Sequence, residues 1–401
     1  MNKLLSILSA FVLFGCQTLG FVEVDPRAPT KLDLSYPNFL NEVWSKSNSR
    51  PLINFGSSGN KYAKNHQFQV SAGSIYKIKN NAAEEYDIEN GTLLNSIALE
   101  GTEIVSGVTI GYNTLVYSDS DGTIYAYDLN TNALRWQQDL KDLVISKVLI
   151  TSRFIFAQTS SDVLYAFNLR DGEIIWTKSA QAPLLSIRGT AVPYFYEGLV
   201  FASFSNGRLA AIRSLDGIQL WEKPISVLRG TTELEKLMDS DTSAVAFQES
   251  IYVANFNGSL TRFDIRTGDK LFSVDFSTSE PLVLFRDLVI GISSDDEIIA
   301  YDAINGTERW INDQYKFRDL SSLVLYNNKL YFGDLDGFLH SVSAESGETL
   351  GVKRTNLDQV KQIEVVSNTL AVQDQDGKLK VYRSEERRVG KECRSRWSPY
   401  H

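Results

Sequence analysis

One frame, met eight times along the chain, constrains what this sequence can fold into more than any other feature. Its clearest copy reads Asp121-Gly122-Thr123-Ile124-Tyr125-Ala126-Tyr127-Asp128, then Leu129-Asn130-Thr131-Asn132, then Ala133-Leu134-Arg135-Trp136. The order is turn, alternating strand, turn, strand. The frame returns at Val163 through Trp176, Asn206 through Trp221, Asn257 through Phe272, Asp295 through Trp310 and Asp336 through Gly351. A weaker copy from Glu85 to Gly91 precedes them, and Asp376 to Tyr382 ends the series. Taking the place of Asp128 as a mark gives positions 87, 128, 168, 213, 264, 302, 343 and 383, with steps of 41, 40, 45, 51, 38, 41 and 40. Eight such units, each with room for four short strands, describe an all-β fold: an eight-bladed β-propeller with four-stranded blades.

Local signals agree. Eighteen Tyr, twenty-one Phe and many Val, Ile and Thr favour strands, and helical periodicity is confined to about Glu233 to Met238. The Asn-Gly and Asp-Gly pairs suit type I′ hairpin turns, in which both central residues have positive φ. Ile124 and Ala126 alternate with Tyr125 and Tyr127 on opposite faces, and the recurrent small Ala suits close blade packing. The eighth unit stops at Tyr382 without its Trp-bearing outer strand. Asn41-Glu42-Val43-Trp44 matches Ala133-Leu134-Arg135-Trp136 with no other strand before it. This segment is expected to complete the last blade and remove an open edge. Trp44, Trp136, Trp176, Trp221 and Trp310 then share one blade position, as structural docking residues between blades.

The two ends fall outside the propeller, expected over residues 41–383. Lys3 is followed by an apolar run from Leu4 to Phe14, too short to span a bilayer and built like a signal peptide. Gly15-Cys16 at its end resembles the lipobox of bacterial lipoproteins, whose cysteine is acylated and becomes the first mature residue. By that resemblance residues 1–15 are the signal, Cys16 is the lipid attachment, and residues 16–40 form a tether. Gln17, rather than Asp, implies the periplasmic face of an outer membrane in a Gram-negative bacterium. Residues 384–401 are dense in charge without alternation, and read as a non-native or disordered tail. Five Lys or Arg against three Asp or Glu there leave -11 for the rest of a chain whose formal net charge is -9. Such a balance argues against nucleic-acid binding, which needs cations to replace counterions. Cys16 and Cys393 are the two cysteines, so no internal disulfide framework exists.

The chemistry inventory is sparse. Asp119-Ser120-Asp121-Gly122, Asp334-Leu335-Asp336-Gly337 and Asp374-Gln375-Asp376-Gly377 resemble calcium loops. The first ligand place of an EF-hand loop holds Tyr117, Phe332 or Val372 instead, so they read as hairpin turns. His66, His340 and His401 lack metal-ligand spacing. Gly56-Ser57-Ser58-Gly59 has no following helix pattern, and no Gly-x-Ser-x-Gly nucleophile motif occurs. No catalytic residue, metal or cofactor is expected.

The two long steps, 45 and 51 residues, place insertions after Trp176 and after Trp221, at equivalent sites of successive blades. The first carries Leu184-Leu185-Ser186-Ile187-Arg188-Gly189-Thr190. The second carries Val227-Leu228-Arg229-Gly230-Thr231 and Met238-Asp239-Ser240-Asp241-Thr242. Aliphatic residues beside Arg, with carboxylates on the adjoining loop, are the composition of a protein-binding patch. The alternative is that Leu185 and Ile187 turn inward as a strand begins.

With the lipobox and the eight repeats, these two loops resemble the BamB family over roughly residues 1–383. That family supplies the lipoprotein subunit of the outer-membrane β-barrel assembly machine. The resemblance implies a non-catalytic scaffold that binds the POTRA region of BamA, joins other subunits of the machine and assists unfolded outer-membrane β-barrel proteins. It assigns Leu185, Ile187 and Arg188 to one BamA contact and Asp239 and Asp241 to another. Ile187 stands where the family has Leu. The repeat also resembles quinoprotein dehydrogenases, which hold pyrroloquinoline quinone and calcium at the propeller centre. Many of those carry an adjacent cysteine pair, for which this chain has no internal cysteine. A general periplasmic interaction hub is the other alternative.

Overall fold

In the computed structural model, residues 25–47, 62, 66–180, 191–226 and 242–384 are described. Eight four-stranded antiparallel sheets follow one another as blades. Blades one to seven take residues 69–98, 109–139, 149–179, 194–224, 245–275, 283–312 and 324–354, each in strand order from inner to outer. Blade eight has its three inner strands at residues 360–384, and its outer strand is Leu40–Lys46 from the other end of the chain. Trp44 sits opposite Val381 there. The ring is closed by pairing the two chain ends, which leaves no free outer edge on strand Leu379–Ser384.

The repeat marks fall at one register. Asp87, Asp128, Asn168, Arg213, Asp264, Asp302, Ser343 and Arg383 each pair with the first residue of the second strand of their blade. Where the mark is Asp or Asn, its side chain accepts backbone N–H bonds from the turn that follows. Asp128 Oδ1, for example, accepts from Asn130 at 2.8 Å. The mark therefore caps the turn into the outer strand.

Each outer strand also carries the same bulge. The skipped residues are Leu94, Arg135, Ile175, Leu220, Leu271, Arg309, Leu350 and, in the strand borrowed from the N-terminus, Val43. A bulge bends an edge strand and interrupts its ladder. The six aliphatic residues of this set are 38–54% exposed, forming a rim around the disc. The two arginines fold back onto the capping acid of their own blade, Arg135 onto Asp128 and Arg309 onto Asp302.

Hydrophobic cores lie between blades. Phe154, Phe156, Leu164, Ala166 and Trp176 of blade three pack on Val200, Ala202, Phe204, Ala210 and Ile212 of blade four. The recurrent Ala stands directly across from Trp in the same blade, as Ala126 with Trp136 and Ala166 with Trp176. A larger side chain there would push the indole off the neighbouring blade.

One local expectation is corrected. Type I′ geometry, with two consecutive positive φ angles, occurs at Ala72-Gly73, Tyr112-Asn113, Glu197-Gly198 and Asn327-Asn328, between first and second strands, and at Asn80-Asn81. The Asp-Gly turns have positive φ only at Gly, as in Gly122, Gly337 and Gly377. Their shape is set by the preceding Asp. Asp119, Asp334 and Asp374 are buried and each accepts two backbone N–H bonds, from residues two and four places on. A buried carboxylate thus organises the turn from within, where a two-residue mirror turn needs no such support.

Candidate functional site

Strand alternation puts the outer-to-inner connections between blades on one face, together with the Asp-Gly turns between second and third strands. The described ends of the two long connections, residues 180 and 191 between blades three and four and residues 226 and 242 between blades four and five, lie on this face. The expected contact residues Leu185, Ile187, Arg188, Asp239 and Asp241, and the helical stretch from Glu233 to Met238, lie outside the described residues, as does Cys16. The stems are described and are firmly held. Ala180 N donates to Asp162 O, and Ile225 N donates to Gly207 O at 2.9 Å. Ser226 Oγ donates to Asn255 Oδ1 at 2.6 Å and accepts from Ser259 N at 2.8 Å. Thr242, fully buried, donates its hydroxyl to Ala254 O. Residues 180, 226 and 242, which border the two insertions on either side of blade four, are therefore fixed points.

The five tryptophans occupy blade junctions. Trp44, Trp136, Trp176 and Trp221 donate from Nε1 to the carbonyls of Ile88, Leu169, Ser214 and Ile265 in the next blade, at 2.8–3.1 Å. Each ring lies flat against a glycine of that blade's last turn. A Cβ added to Gly91, Gly172, Gly217 or Gly268 would come within 2.7 Å of the ring. Those glycines also have φ near +70°, so both space and backbone exclude other residues. Trp310 meets Gly347 in the same way, yet its Nε1 has no partner among the described residues. Three junctions differ. Phe272 covers Gly306 between blades five and six. Asn95 and Asn132 exchange amide hydrogen bonds of 2.9 and 3.1 Å between blades one and two. Gly351 takes the Trp place in blade seven and is covered by Phe39 and the Pro37 carbonyl from the N-terminal segment.

The centre of the ring holds a cavity of about 770 Å³, lined among others by His66, Lys147, Glu280, Lys361, Gln362 and Glu364. Lys147 reaches in and donates to the Phe68 carbonyl at 2.9 Å and to Glu364 at 3.3 Å. Gln362 and Glu364 bind the backbone of Phe68 and Val70, so blade eight is joined to blade one by side chains at the inner radius. Burial lowers the Lys147 amine from its ordinary value, and Glu364 opposes that shift. Burial raises Glu280, against a hydrogen bond from Ser322. Lys147 is thus committed to closing the ring, while Lys361 of the same lining pairs with Asp319 at 3.2 Å. No group of three His, Cys, Asp or Glu gathers at metal-binding distance among the described residues.

Sequence reasoning missed this inner clamp and the aliphatic rim. The rim had a signal, since the residue before each Trp place is Leu, Ile, Val or Arg. The clamp had none, because Lys147, Gln362 and Glu364 look like ordinary surface residues until the ring is closed.

A family model described as outer membrane protein assembly factor BamB matches residues 79–312, more than half of the chain. The chain belongs to the BamB family. It is 25% identical to outer membrane protein assembly factor BamB of Escherichia coli over 387 residues, 94% of this chain and 98% of that protein. The Yersinia pestis BamB is 27% identical over 285 residues, 71% and 72% of the two chains. The crystal structure of BamB from Moraxella catarrhalis, 24% identical, superposes with a TM-score of 0.74 over 86% of this chain and 99% of that one. A europium-containing methanol dehydrogenase also superposes, with a TM-score of 0.64 at 12% identity, a likeness of fold alone. BamB membership makes this chain an outer-membrane protein assembly factor, of a non-catalytic kind, and associates it with the β-barrel assembly machine.

Proposed function

We propose that this BamB-family propeller is a lipid-anchored scaffold on the periplasmic face of the outer membrane that docks on the POTRA region of BamA. The observation that supports the reading is the family match over most of the chain, joined to two long steps of the repeat, one before and one after blade four. Leu185 and Ile187 are the apolar anchors of the contact, and Arg188 pairs with a carboxylate of BamA. Asp239 and Asp241 form the second contact, and Cys16 carries the lipid. Unfolded β-barrel proteins engage the aliphatic rim of Val43, Leu94, Ile175, Leu220, Leu271 and Leu350, exposed beside outer strand edges. The bulge at each of these residues limits backbone pairing with an added strand, so side-chain contact dominates.

Co-purification with BamA tests the docking. Arg188→Glu is expected to abolish recovery of BamA while the propeller stays folded, and undiminished recovery contradicts the assignment. For the anchor, Cys16→Ser is expected to release the protein from the outer-membrane fraction. Retention there, with no acyl label on the unaltered protein, contradicts it.

A further inference from the structure

The N-terminal segment before the closing strand is docked on the propeller, and where it is docked decides which face leads to its anchor. Thr30 N donates to the Lys316 carbonyl at 3.0 Å, and its hydroxyl donates to Gln314 O at 2.7 Å. Arg318 donates from one guanidinium nitrogen to Thr30 O at 2.8 Å. The rest of that guanidinium is taken by Asp334, at 3.0 Å, and by Asp336. Arg318 and Asp334 have side chains only 5% and 0% exposed, so the Thr30 carbonyl completes the shell of a buried cation. Leu32 packs on the core between blades six and seven. The segment then descends blade seven, where Pro37 O accepts from Val352 N at 3.2 Å and Phe39 lies over Gly351 and against Tyr331. Blade eight lacks a turn between its third and outer strands because those strands come from opposite chain ends. Phe39 fills the place that turn would occupy.

The consequence is a change of exit. Leu40 pairs with Ser384 on the face that carries the turns between third and outer strands. Thr30 lies beside residues 314–318, in an outer-to-inner connection on the opposite face. We infer that residues 30–39 are a strap that presents the face bearing the two long connections to the lipid bilayer. This rests on the reading of Cys16 as the lipid site. From Cys16 to Thr30 is fourteen residues, about 49 Å at full extension, whereas an undocked segment to Leu40 spans twenty-four, about 84 Å, and leaves from the other face. The strap shortens the leash and turns the disc, so the docking loops and the anchor share one side.

Energy transfer to headgroup-labelled lipid tests this with the full-length acylated protein in phospholipid vesicles. In a Cys393→Ser background, a donor is placed at Ser294→Cys on the connection face of blade six or at Ile304→Cys on its opposite face. Strand height separates the sites by about 20 Å, so transfer from position 294 is expected to exceed that from 304 about twofold. Thr30→Pro with Leu32→Asp, which undocks the strap, is expected to bring the ratio to about one. A flexible fourteen-residue insertion before Asp25 leaves the strap docked and is expected to lower both signals while keeping their order. Equal or reversed transfer in the unaltered strap, with protein that floats with the vesicles, overturns the strap inference alone. Failure to float overturns the anchor reading and the inference with it.

Discussion

The junction between blades three and four and the junction between blades one and two hold the same geometry with opposite chemistry. In the first, Trp176 lies on Gly217 and donates to the Ser214 carbonyl. In the second, Asn95 stands at the Trp place, and Asn132, at φ +56°, stands at the glycine place. The difference teaches that these are coupled positions. An indole demands a residue with no Cβ, while a small amide leaves room for a side chain that tolerates positive φ and reaches back to bond it.

The sharpest way to break the comparison is to transplant the second junction's residue into the first. Gly217→Asn keeps the backbone geometry accessible but drives a Cβ to 2.7 Å from the Trp176 ring. A loss of about 3 kcal/mol in denaturation free energy is expected, whereas Asn132→Gly costs less than about 1 kcal/mol. Equal effects at the two sites would show that φ alone governs the position. The reverse transplant has a smaller expected effect. Asn95→Trp alone should destabilise by about 2 kcal/mol against Asn132, and adding Asn132→Gly should recover most of that loss. Additive single effects would deny the coupling.

A third junction, between blades eight and one, extends the comparison to pH. Lys77 of blade one donates to the Gly377 carbonyl of blade eight, and its amine is pushed down to about 8 by burial, against the attraction of Asp374. Its unfolded value lies near 10.5, so burying the charge costs stability in full below pH 8, and the cost fades as pH rises toward 10.5. The native protein should therefore gain on the order of 2 kcal/mol relative to Lys77→Met between pH 7 and pH 10. Parallel stability curves for the two proteins would contradict the burial assigned to Lys77. The smallest contrast is within the indoles. Trp176→Phe forfeits a buried hydrogen bond and should cost about 1 kcal/mol more than Trp310→Phe, whose Nε1 donates to no described residue.

Sequence periodicity carried the fold because most blades use the same few residues at the same register: a turn-capping Asp or Asn, a small residue opposite Trp, and a glycine under the previous ring. Even the strand from the far end of the chain was legible, since Val43-Trp44 repeats the bulge and indole of Arg135-Trp136. What stayed hidden involves residues whose partners lie far away in sequence. Arg318 completes its shell with Thr30, and Lys147 with Phe68 and Glu364. No local pattern encodes such pairs, and the departures from the repeat at Asn95 and Gly351 gain meaning only beside Asn132 and Phe39. The two insertions stand out against a regular step, but the contact residues proposed within them lie outside the described residues.

The proposal at stake is that the two insertions flanking blade four bind BamA. The most direct test is the affinity of the purified protein for the isolated POTRA region of BamA, measured for the unaltered chain, Arg188→Glu, the pair Asp239→Ala with Asp241→Ala, and Asp121→Ala as a turn control. Arg188→Glu is expected to weaken binding by about thirtyfold or more, equivalent to about 2 kcal/mol at a buried hot spot, and the aspartate pair by a smaller factor. Asp121→Ala is expected to bind like the unaltered protein. Folded Arg188→Glu protein that binds with undiminished affinity would contradict the account.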